Sequence, residues 1–246
     1  QALEGYRKNM AVLVERLSAP PAPRLLFATP SPFDQTVRID RDNNQPGCNE
    51  GLGRCAEFVT DFARARGARV VDFHGPMTAY NLERQKADPG FTIVGPDRVH
   101  PGPPGHLMMA WLFLRAQGAT SLVSRVAIDA AHAHVSGADN ADVSGLAVSE
   151  AGVAFSVLER ALPFPVADSA RSVLATLPIM QDLDQEVLAV QGLAPGSFDV
   201  RIDGASVGSF EGAALGRGIN LAELPSTPQL AQARQVARAN EARRAA

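Results

Sequence analysis

The chain has 246 residues, 46% of them hydrophobic and 20% charged, with a net charge of −3 at pH 7. That length fits one large domain or two small ones. The charge balance speaks against a nucleic-acid scaffold, which carries a strongly basic surface. The longest uninterrupted apolar run, Leu107–Leu114, falls far short of the roughly 20 residues of a membrane helix.

Residues 1–17 place Leu3, Tyr6, Met10, Leu13, Val14 and Leu17 at helical spacing, and Pro20, Pro21 and Pro23 stop that helix. The short apolar run 24–29, closed by Pro30, reads as a buried strand. A second helix is expected over 49–66, with Leu52, Cys55, Ala56, Val59, Phe62 and Ala63 on one face and Gly67 as its stop. A second buried strand follows over 69–73, then a long loop over 74–96. Pro103 and Pro104 open a third helix that Gly118 closes. Strands alternating with helices imply a parallel sheet, and two strands are too few to make one. Residues 1–118 therefore read as the second half of an α/β domain.

From Thr120 the pattern changes to short strands, at 121–128, 152–158, 186–190 and 197–202, with turn signals between them. Asp203-Gly204 is a tight hairpin signal. A small antiparallel sheet is expected over 119–224. Ser226-Thr227-Pro228 then starts a last helix in 225–246, rich in Ala and Arg.

The segment with most chemistry is Gly95-Pro-Asp97-Arg-Val-His100-Pro101, a loop before a helix start. In a turn, a three-residue spacing lets the Asp97 carboxylate reach Nδ1 of His100, leaving Nε2 as an outward-facing base. Pro101 holds His100 toward an extended backbone. A bare Asp-x-x-His pair is more often a capped turn with a surface histidine, and the flanking residues shift that balance.

Asp97-Arg-Val-His100-Pro, then Gly105-His106 and the apolar Leu107-Met-Met-Ala110, resembles the last motif block of the SGNH (GDSL-type) hydrolases. Three further stretches agree in order. Tyr6-Arg-Lys-Asn-Met10 resembles the helix after that family's Gly-x-Asn-Asp block, Leu25-Leu-Phe-Ala-Thr29 its next strand, and Val70-Val-Asp72-Phe its final strand. The resemblance covers about residues 1–118. It implies a three-layer, flavodoxin-like parallel-sheet core, and an acyl transfer in which His100 is the general base and Asp97 orients it. More weakly, 119–224 resembles a β extension of some bacterial members.

The family's Gly-Asp-Ser block and its two oxyanion-hole blocks do not occur in this sequence, so no nucleophile and no oxyanion donor is assigned within it. The expectation is an incomplete chain, inactive by itself, whose natural N-terminus precedes Gln1. An open sheet edge would favour its self-association. The implied substrate is a small-molecule or carbohydrate ester, with no cofactor, no metal, no nucleic acid and no membrane. No secretory signal pattern is visible, and the location stays open, with a secreted or periplasmic one as an option. The alternative from another class is a non-catalytic protein whose β region binds a polysaccharide or protein partner.

Several other residues have a structural reading beside a chemical one. Cys48 and Cys55, seven apart, can bridge in an oxidising compartment or stay free in a reducing one, and both readings stand. His74 reads as a hydrogen-bonding residue at a loop base. His106 sits in a helix's first turn, where the dipole disfavours a charged imidazole. Ser31, between two prolines, reads as a turn residue. His132 and His134 are expected on one face of a strand, two of the three or four ligands a zinc site wants. The terminal arginines read as a solvated helix face.

Overall fold

The computed structural model describes residues 2–21 and 23–245. They fall into two units, 1–119 with 168–177, and 120–167 with 178–246.

The first unit begins with α1 (Ala2–Leu17) and β1 (Leu26–Ala28), followed by α2 (Cys48–Arg64) and β2 (Arg69–Val71). Then come α3 (His74–Gln85) and α4 (Pro103–Ala116). β1 and β2 pair in parallel, Leu26 opposite Arg69 and Ala28 opposite Val71. The i, i+4 series Tyr6, Met10, Val14 of α1 gathers with Phe58, Val59, Phe62 and Ala63 of α2 around Phe27. The rings meet edge to face, Tyr6 on Phe58 at 5.8 Å and Phe27 on Phe62 at 5.9 Å, the favourable quadrupole arrangement. The 3-10 helix 168–175 packs against α4, burying Ala170 and Val173.

Two expectations change here. The stretch 74–96 is not all loop, since α3 occupies its first half. The cysteine alternatives resolve to free thiols. Both belong to α2, where seven positions mean a rise of about 10 Å, out of disulfide reach.

The second unit runs β3 (Leu122–Asp129), β4 (His134–Asp139), β5 (Ala141–Ser149) and β6 (Gly152–Glu159). After it come α5 (Ile179–Leu183), β7 (Gln185–Gln191), β8 (Ser197–Ile202), β9 (Ala205–Glu211), α6 (Gly212–Arg217), β10 (Ile219–Asn220) and α7 (Pro228–Ala245). A four-stranded sheet has the order β10-β7-β3-β4, and β5/β6 and β8/β9 are separate hairpins. Val126, Ile128, Val190 and Leu215 centre its core.

The expected antiparallel sheet is corrected: β3 and β7 are parallel, from Leu122 opposite Gln185 to Asp129 opposite Gln191. Parallel neighbours need a long crossover, and residues 130–184 supply one that carries the β5/β6 hairpin. The whole chain is a mixed α/β structure with small sheets.

Candidate functional site

The loop between α3 and α4 brings Asp97 and His100 together. Asp97 Oδ2 lies 2.6 Å from His100 Nδ1. The other oxygen, Oδ1, accepts the backbone N–H of His100 at 2.9 Å and of Val99 at 3.1 Å. The carboxylate thus folds its own turn and orients the ring in one act. Those two amides and the imidazole hold the Asp97 carboxyl well below the usual carboxylate range, with the His100 amide contributing most. An ionised carboxylate on Nδ1 selects the Nδ1–H tautomer and leaves Nε2 as a lone-pair base. The His100 side chain is 83% exposed, so that base faces outward.

Two glycines permit the loop. Gly95 has φ +74°, and a Cβ there would stand 2.5 Å from the His100 carbonyl oxygen. At Gly105, in the first turn of α4, a Cβ would meet the Ile93 carbonyl oxygen at 2.3 Å. Gly102 and Pro103 start that helix immediately after the pair.

Inside the turn lies Arg98, a residue that sequence reasoning misses. It is 3% exposed and has φ +69°. Its Nη1 donates to the carbonyls of Asp34 (2.9 Å) and Val37 (3.0 Å), and its Nε to Asn43 Oδ1 (3.1 Å). Its own carbonyl accepts the Asp34 N–H at 3.0 Å. Asn43 in turn donates Nδ2 to the Asp97 carbonyl at 3.0 Å. An arginine flanked by catalytic residue types looks like surface charge in a sequence, and no periodicity could have marked it as buried.

His74 opens α3 with Nε2 3.1 Å from Asn49 Oδ1, and Asn49 Oδ1 also accepts the Phe33 N–H. Nearby, Thr29 Oγ1 donates to Asp72 Oδ1 at 2.9 Å and accepts the N–H of Phe73 and His74. This network ties the ends of β1 and β2 together. His106 is in the first turn of α4 and Ser31 in the loop after β1.

The expectation for His132 and His134 is corrected. His132 lies in the turn between β3 and β4, and only His134 is in a strand. His132 Nδ1 instead meets Asp129 Oδ2 at 2.8 Å, a second Asp-x-x-His pair. Among the described residues no cluster of three or more His, Cys, Asp or Glu could hold a metal ion.

The second unit contains a groove of about 910 Å³ whose walls include Phe155, Glu159, Arg201 and Gln229. Glu159 accepts Ser124 Oγ at 2.5 Å and Gln229 Nε2 at 3.1 Å. Glu186 on β7 is 1% exposed, with neither carboxyl oxygen hydrogen-bonded among the described residues. Burial, then the charge of Glu159, pushes its carboxyl up to about 9, so it is a neutral acid at pH 7.

No family model matches the chain, and no curated protein matches it. Among solved structures it is similar to BT4096, a gut microbial diltiazem-metabolizing enzyme. The two are 34% identical with a TM-score of 0.86, and the match covers 96% of this chain and 55% of that one. The chain therefore spans about half the length of the enzyme it matches.

Proposed function

We propose that the chain carries the base-and-orienter part of an ester hydrolase of the SGNH type. The observation behind this is the Asp97–His100 pair, a charge-assisted hydrogen bond on Nδ1 with Nε2 left facing solvent. The likeness to a diltiazem-metabolizing enzyme, at 34% identity over 96% of this chain, supports the reading of an enzyme that acts on a small molecule. The parallel pairing of β1 with β2 also suits a parallel-sheet hydrolase core.

In this reading His100 Nε2 takes the proton of a serine hydroxyl as its oxygen attacks the ester carbonyl. The imidazolium that results is held by Asp97, then returns the proton to the departing alcohol. Water repeats the sequence on the acyl-enzyme. No Gly-Asp-Ser block occurs among these 246 residues, so in this reading the serine and the oxyanion donors are supplied from outside them. The 246 residues alone are then expected to hydrolyse no ester. The substrate is an acyl ester of a small molecule or a carbohydrate, and no cofactor is needed.

The test is hydrolysis of p-nitrophenyl acetate by the natural protein that carries these residues. His100→Ala should lower kcat by about 10⁶-fold and Asp97→Asn by about 10⁴-fold, with circular dichroism unchanged. Wild-type turnover in His100→Ala would refute the assignment. So would turnover by the isolated 246 residues that His100→Ala abolishes, as far as the need for an outside serine is concerned.

A further inference from the structure

We propose that Arg98 and Asn43 are positioning residues for the Asp97–His100 pair, so that the loop 34–43 sets the tautomer and aim of His100. The proposal rests on the reading of His100 as a base and adds where its geometry comes from.

The argument starts from conformation. A non-glycine residue in the left-handed region costs on the order of 1–3 kcal/mol and persists only when its surroundings over-determine it. At Arg98 they do. The positive φ reverses the chain between Asp97 and His100, within reach of Asp97 Oδ1 for the amides of Val99 and His100. The guanidinium donates to two carbonyls and one amide oxygen of the 34–43 loop. Asn43 uses both ends of its amide, accepting from Arg98 and donating to the Asp97 carbonyl. The backbone of both residues 97 and 98 is therefore clamped by one loop.

That loop is itself braced. Asp34 Oδ1 accepts the N–H of Thr36 and of Val37, and Oδ2 accepts Gln85 Nε2 at 2.9 Å from the end of α3. Gln85 also donates to the Phe91 carbonyl. A continuous chain of hydrogen bonds thus runs from α3 through Asp34 and Arg98 to the acid–base pair. Lysine could not replace Arg98, because an ammonium lacks the planar fork that serves several acceptors at once.

The substitution Arg98→Gly removes the fork while leaving a residue at ease with φ +69°, which separates the side-chain clamp from backbone strain. The readout is ¹⁵N NMR of histidine-labelled 246-residue chain, which reports the tautomer of each neutral imidazole. Wild type should show His100 protonated at Nδ1. Arg98→Gly and Asn43→Ala should return it to the Nε2–H form that free imidazole favours. His132, paired with Asp129 in the same way, should keep its tautomer in both variants and serves as the internal reference. In the natural protein the same substitutions should lower kcat about 10–100-fold and leave KM within about twofold.

If both variants keep the His100 tautomer and kcat of wild type, the proposal is overturned. Should Arg98→Gly not fold, Asn43→Ala decides by the same two readouts. If His100→Ala leaves ester hydrolysis intact, the functional reading has failed, while the tautomer shift still judges the positioning. If His100→Ala abolishes hydrolysis and neither variant moves the tautomer, the positioning alone has failed.

Discussion

An aspartate three residues before a histidine occurs twice in this chain and closes the same hydrogen bond twice, at 2.6 Å and at 2.8 Å. The spacing permits such a contact, so the Asp97–His100 pairing was readable as a candidate from the sequence. The context that separates it from Asp129–His132 was not. It lies in Arg98, Asn43 and two glycines whose need for space depends on chain segments distant in sequence. Gly95 makes this testable. A Cβ there collides with the His100 carbonyl in addition to straining φ, whereas Gly67, with φ +63°, has nothing within 4 Å of its Cβ position. Gly67→Ala should cost about 1–2 kcal/mol from φ alone. Gly95→Ala should cost more, about 2–4 kcal/mol, and should also move His100 away from the Nδ1–H form. Denaturant unfolding of the two variants compares them directly, and equal losses would show that the close approach at Gly95 is not a constraint.

Elements were legible in proportion to their apolar periodicity. α1, α2 and α4 follow helical spacing and stand within two residues of the expected ends. α3 was hidden because its fully buried face is made by Met77 and by the polar Asn81, whose Oδ1 accepts the Ile93 N–H. Gly75 and Pro76 at its start read as loop, although proline is at home in a first helical turn. β3 and β7 were both legible as strands, but not their parallel pairing, because alternation says which face is buried and nothing about the neighbour. Nor did it show that Glu186 would be a buried neutral acid. That burial has a measurable consequence. With an ordinary value of 4.5 in the unfolded chain and about 9 in the folded one, the native state holds a proton that the unfolded state has released. The Glu186 contribution to stability is then fully present below pH 4.5 and is lost as pH rises toward 9. Asp184, pushed up to about 6 by burial, adds a loss of the same sign only at the acid end. Glu186→Gln should remove its share of the decline from about pH 4.5 to 9, leaving only the Asp184 share below about pH 6. Chemical denaturation across that range checks it, and an unchanged slope would mean that Glu186 is ionised in the fold.

At the scale of the whole chain, sequence order and spatial unit part company at one segment. Residues 168–177 lie between the strands of the second unit in sequence and belong to the first unit in space. Nothing in Asp168-Ser-Ala-Arg-Ser-Val173 announces this, because a short 3-10 helix carries too few apolar positions to name its partner. There Val173 is 2% exposed, and the Thr176 hydroxyl is 2.7 Å from that of Tyr80 on α3. A cut at Ala119 would therefore leave the first unit without part of its own interior. Val173→Ala should lower the stability of the first unit by about 1–3 kcal/mol through lost contacts and a residual cavity. Hydrogen exchange read unit by unit distinguishes the two placements. Faster exchange in α3 and α4 with β3 and β7 unchanged would follow from the observed packing, whereas loss confined to β3 and β7 would assign the segment to the second unit.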